Sequence, residues 1–80
     1  MRMPERHVGT VISWHHVRGH GFLRADRGGE FFVGRRDLMR YGIQNLQIGQ
    51  RVYFDGARDG LGRVPRAVNL RVLFKETCLH

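Results

Sequence analysis

The sequence predicts an all-β fold, a small closed five-stranded antiparallel barrel, from three observations. Five short runs are rich in β-branched and aromatic residues, the side chains that suit a pleated, half-buried surface. The connection between the third and fourth runs is long, and no stretch has the periodicity of a long helix. Eleven glycines are scattered along 80 residues, which favours tight turns between strands. Closing such a sheet removes the exposed edges that invite aggregation.

The elements follow in order. Residues 1–7, with Pro4, read as a flexible tail. Val8 to Trp14 is β-branched and apolar and predicts a first strand. His15 to Arg18 reads as a polar turn, and Gly19 to Ala25 as a second strand broken by glycines. Asp26-Arg27-Gly28-Gly29 is a strong hairpin signal, because Asp and Gly tolerate the backbone such turns need. Glu30 to Val33 is a short third strand. Arg36 to Arg40 has room for one helical turn before Gly42 stops it. Gln50 to Asp55 alternates polar and apolar and reads as a fourth strand. Residues 56–62 form a glycine-rich loop. Val64 to Phe74 predicts a fifth strand, with Pro65 near its start, where a missing donor is tolerated. Residues 75–80 read as a second flexible tail. The expected core is Val11, Leu23, Val33, Leu38, Val52, Phe54 and Val68, each burying surface worth roughly 25 cal/mol per Å².

Charge narrows the function. Fourteen basic residues against seven acidic ones give a formal charge of +7. Such a surplus on a small body attracts polyanions, of which nucleic acid is the commonest. Lys75 is the one lysine; the rest is arginine, which holds phosphate bidentately and stacks on bases. Codon bias with a solvated basic surface is the bland alternative. Cys78 is the one cysteine, so no internal disulfide is available. No apolar run reaches the length of a membrane span, and no hydrophobic leader is expected, so a cytoplasmic location is the default.

Several chemistries are set aside. His15, His16 and His20 invite a metal, but no cysteine or carboxylate stands at ligand spacing. Gly19-His20-Gly21 lacks the lysine and following helix of a phosphate loop. There is no Gly-x-Ser-x-Gly elbow, and Cys78 has no base assigned to it. No cofactor, metal or catalysis is expected.

Arg18-Gly19-His20-Gly21-Phe22-Leu23 resembles the Lys-Gly-Phe/Tyr-Gly-Phe-Ile motif of the cold-shock domain family. Phe31-Phe32-Val33-Gly34-Arg35 aligns with that family's second motif, Val-Phe-Val-His-Phe, at a matching separation. Gly9 to Trp14 lines up with Gly-x-Val-Lys-Trp-Phe, and Pro65 to Leu70 with the closing Pro-Gln-Ala-x-Asn-Val. Leu38, Gly42, Leu46, Gly49 and Gln50 fall at the family spacing. The resemblance runs from Val8 to Val72. It implies an OB-fold barrel over residues 8–74 that binds single-stranded RNA or DNA with little sequence preference, as an RNA chaperone or a regulator of transcription or translation.

The departures fall where the family stacks bases. Ser13 replaces a tryptophan, His20 an aromatic, Ile12 a basic residue, and Gly34 and Arg35 a histidine and a phenylalanine. Trp14 stands where the family has phenylalanine, and Ile43 where the long loop has an aromatic, with Tyr41 two residues away. The expected platform is Trp14, His20, Phe22 and Phe32, with Arg18, Arg35, Arg63 and Arg66 as a cationic rim. A ring on a sheet offers a base a flat apolar partner, and arginine holds the phosphates. Alternation alone leaves Phe22 divided between core and surface, and the resemblance turns Phe31 inward and Phe32 outward. Trp14 either packs at the barrel rim or, through a bulge, takes the missing tryptophan's place. Each arginine has ordinary surface charge as its alternative. The rival function is a protein-interaction adaptor or homodimer, meeting a partner through Trp14, Phe22 and Phe32.

Overall fold

The computed structural model describes residues 5–58 and 64–73. It is a closed barrel of five strands in the order β1-β2-β3-β5-β4. The strands are β1 (Glu5–His15), β2 (His20–Ala25), β3 (Glu30–Gly34), β4 (Arg51–Ala57) and β5 (Arg66–Val72); a short helix, α1 (Arg35–Arg40), follows β3. All neighbours are antiparallel except β3 and β5, which run parallel at the closing seam.

β1 is the spine of the barrel. Its first half pairs with β4 and its second half with β2, so it belongs to two sides of the sheet. Gly9 sits where these pairings overlap, and a Cβ there would lie 2.4 Å from the Arg24 carbonyl oxygen. β1 begins at Glu5 rather than Val8, because Glu5, Arg6 and His7 pair with Gly56, Asp55 and Phe54. These residues were expected in the tail. Their polarity hid a strand whose inner side is closed by the His7 ring, 4.8 Å from Phe31 and 5.5 Å from Phe54.

The core cluster includes six of the seven expected residues: Val11, Leu23, Val33, Leu38, Val52 and Phe54. Phe31 joins them and packs edge-on against Phe54 at 5.1 Å. Val68 does not: it is half-buried, and Ala67 and Leu70 take the inward positions of β5. The pairing of β4 with β5 shifts between Tyr53 and Asp55, and Asn69 adopts φ 54°. With that irregularity Ala67 and Leu70, three residues apart, both turn inward and Val68 is left between them.

Helix α1 closes one end of the barrel through buried Leu38. Asp37 lies in its first turn and Arg40 in its last, both favourable against the helix dipole. Gly42, at φ 75°, donates its N–H to the Met39 carbonyl at 3.1 Å and ends the turn. Among the described residues, no helix is long and apolar enough to cross a membrane.

Candidate nucleic-acid interface

The outward side chains of β2 and β3 are fixed by alternation. Gly21, Leu23 and Ala25 are buried, so His20, Phe22 and Arg24 face out. Phe31 and Val33 are buried, so Phe32 and Gly34 face out. Phe22 pairs with Phe32 in register, and their rings meet edge to face at 5.8 Å. His20 stacks beside Phe32 at 6.0 Å. Three of the four expected platform rings therefore lie together, half-buried, on the outer surface. Gly34 leaves one edge of Phe32 open; a Cβ there would stand 3.6 Å from the ring.

Trp14 is the correction to that platform. β1 bulges between Val11 and Ser13, so Ser13 pairs with outward Phe22 while Trp14 pairs with inward Gly21. The indole packs against the core cluster at the barrel rim and directs its N–H to Asn45 Oδ1 at 3.4 Å. The bulge thus turns Trp14 away from the ring row instead of into it. Gly21 is required at this crossing, because a Cβ would come within 2.1 Å of the Ser13 carbonyl oxygen.

His15 is the residue that sequence reasoning missed. It pairs with His20, and the two rings stack at 5.9 Å, extending the row to four rings. The polar run at 15–18 hid it as a turn. Once the Ile12 bulge is known, Ser13 and His15 fall on one outward side by simple alternation.

The expected cationic rim divides. Arg18 lies exposed in the turn before His20. Arg35 is only half exposed and is committed elsewhere: its guanidinium donates to the His16 carbonyl, and its backbone N–H to the Gly19 carbonyl at 2.7 Å. It clamps the β1–β2 turn from the end of the neighbouring strand β3, lying against Gly19, where a φ of 75° and a Cβ that would stand 3.0 Å from the Arg35 side chain favour glycine. Arg66 sits in register with Phe32, but its guanidinium pairs with Asp37 at 2.8 Å. These two arginines are structural partners first. Arg63 lies outside the described residues. Below the ring row, Arg24 is paired with Glu30 at 2.9 Å. Tyr41 does not cover for Ile43 on this row; its hydroxyl donates to Asn69 Oδ1 at 2.7 Å. Among the described residues, no group of three or more His, Cys, Asp or Glu is placed to hold a metal ion.

No family model matches the chain, so the assignment rests on individual relatives. It is 42% identical over 66 residues to a cold shock-like protein of Aquifex aeolicus, covering 81% of this chain and 91% of the relative. The chain belongs to the cold-shock domain family. Its match to the cold shock protein CspA of Rhizobium meliloti is 36% over 64 residues, spanning 79% of this chain and 93% of that one. With the major cold shock protein CspA of Pseudomonas aeruginosa it shares 36% over 52 residues, 65% of this chain and 75% of the relative. The five-stranded barrel agrees with the OB-fold of a cold-shock domain.

Proposed function

We propose that this barrel binds single-stranded RNA or DNA with low sequence preference and without catalysing a reaction, acting as an RNA chaperone or a regulator of transcription or translation. Membership of the cold-shock family supports a nucleic-acid-binding role in general terms. The observation that carries the rest is the outward row of His15, His20, Phe22 and Phe32 on a chain of net charge +7. Each base stacked on such a ring contributes roughly 1–3 kcal/mol, whatever its identity. Two members of the row are imidazoles, weaker platforms than the aromatics of the family motif. Binding therefore leans on charge and falls steeply with salt. Arg18 is the expected rim cation nearest to this role. A cytoplasmic location belongs to the same proposal.

The test is an anisotropy titration with oligothymidine and with single-stranded RNA at low and moderate salt. Micromolar or tighter binding that weakens sharply with salt is expected. No binding at micromolar protein in low salt would overturn the reading and favour a protein-interaction adaptor on the same barrel.

A further inference from the structure

A second face of the barrel has features that the ring row does not use. Its outer surface is built by the first half of β1 with β4 and β5. The register sets Val8 opposite Tyr53, and Tyr53 opposite Arg71. The β2–β3 turn abuts the same row, since the Asp26 N–H donates to the Val8 carbonyl at 2.8 Å. Arg27, Val8, Tyr53 and Arg71 thus line one open cleft of about 720 Å³. Pockets of about 300–1,000 Å³ accept ligands of nucleotide size.

Two properties of this cleft select its ligand. Tyr53 is an aromatic side chain left 47% exposed. Among the described residues, no ring stacks on it and no guanidinium lies over it. The charge around it is also unbalanced. Asp26 is held by Arg51 through two hydrogen bonds of 2.8 and 2.6 Å. Asp55 accepts from Asn69 Nδ2 at 2.8 Å and lies 3.9 Å from Arg6. Both carboxylates are therefore occupied. Arg27 and Arg71 are left without an ion pair among the described residues. A flat ring between two uncommitted guanidinium groups matches a base flanked by phosphates.

We propose that this cleft is a second contact strip for single-stranded nucleic acid, with Tyr53 stacking a base and Arg27 and Arg71 holding its phosphates. The ligand class rests on the proposed function; the surface does not, because it shares no residue with the ring row. One barrel then engages two segments of a strand, on two sides of β1.

The test is an amide-shift titration of isotope-labelled protein with oligothymidines of about 4 and about 14 nucleotides, the range of site sizes for one such barrel. With saturating long strand, shifts are expected at Tyr53 and Arg71 as well as at Phe22 and Phe32. The double variant Tyr53→Ala, Arg71→Ser should bind the long strand about tenfold more weakly and bind the short one as before. Shifts confined to Phe22 and Phe32, or an unchanged long-strand affinity in the variant, would overturn the second strip and spare the ring row. Shifts confined to Tyr53 and Arg71 would do the reverse. No shift at either would remove both.

Discussion

The two halves of β1 share one backbone but face different chemistry. The first half lies among paired charges: Glu5 with Arg58 at 3.1 Å, Arg6 with Asp55 at 3.9 Å, and Thr10 beside the Arg51–Asp26 pair. Among the described residues, the second half has no ion pair at Ser13, Trp14 or His15 and lies beside rings. Pairing passes from β4 to β2 at Gly9 and Thr10, and the Ile12 bulge within the β1–β2 ladder then turns Ser13 and His15 outward. Rings whose neighbours are other rings keep an apolar face open for a base. The paired charges stabilise the sheet, and they are distinct from Arg27 and Arg71, which face the proposed second strip. One strand thereby serves two tasks, and substitutions on its two sides should separate them.

The largest expected effect comes from the crossing itself. Gly21→Ala puts a Cβ against the Ser13 carbonyl, and such overpacking costs about 3 kcal/mol. In a domain this small that lowers Tm by more than about 10 °C, read by thermal circular dichroism. An unchanged Tm would mean β1 and β2 can part there, and the bulge would lose its role.

Next come the rings. Phe22→Ala and Phe32→Ala should each weaken oligonucleotide binding by about 1–3 kcal/mol while the spectrum stays barrel-like, because both side chains face outward. Binding unaffected by both would place the ligand on the other side of β1.

Acid should act on the charged half alone. The Arg58 hydrogen bond holds the Glu5 carboxyl below its usual range, and the Arg51 hydrogen bond does the same for Asp26. A carboxylate with a lowered folded pKa contributes stability above its unfolded pKa and loses it as pH falls through the folded value. Tm should therefore hold from neutral pH down to about 4 and fall below that. Asp26→Asn should flatten part of the fall. A Tm that drops already between pH 7 and 5 would mean that these two carboxylates do not set the acid limb.

The smallest difference separates two arginines. Arg18→Ala should reduce the slope of log affinity against log salt by about one. Arg35→Ala should cost about 1 kcal/mol of stability through the lost His16 bond. Equal effects on the salt slope would return Arg35 to the ligand.

The fold was legible because the signals that specify it are local. Leu23, Val33, Val52 and Phe54 were expected inside and are buried, the resemblance turned Phe31 inward, and the glycine turn joined β2 to β3. Phe32 followed as outward once the resemblance turned Phe31 inward, whereas Phe22 was divided by alternation alone and was favoured as exposed by its glycine motif. What stayed hidden depends on pairings distant in sequence. Which way Trp14 faces depends on where β1 slips against β2, and the inward residues of β5 depend on a slip against β4. The partners of Arg35 and Arg66 lie 19 and 29 residues away, beyond the reach of any local pattern. A basic residue in such a chain is a rim candidate until its acid or carbonyl is found.

The seam where the barrel shuts has a consequence for how a bound strand would be felt. β3 meets β5 through a single parallel pair, Phe32 with Arg66, and the Phe32 N–H reaches across to the Pro65 carbonyl at 2.8 Å. The residue that offers its ring to solvent therefore also fastens the weakest joint of the cylinder with its backbone. A ligand that holds this ring only in the closed barrel would favour that closure by mass action.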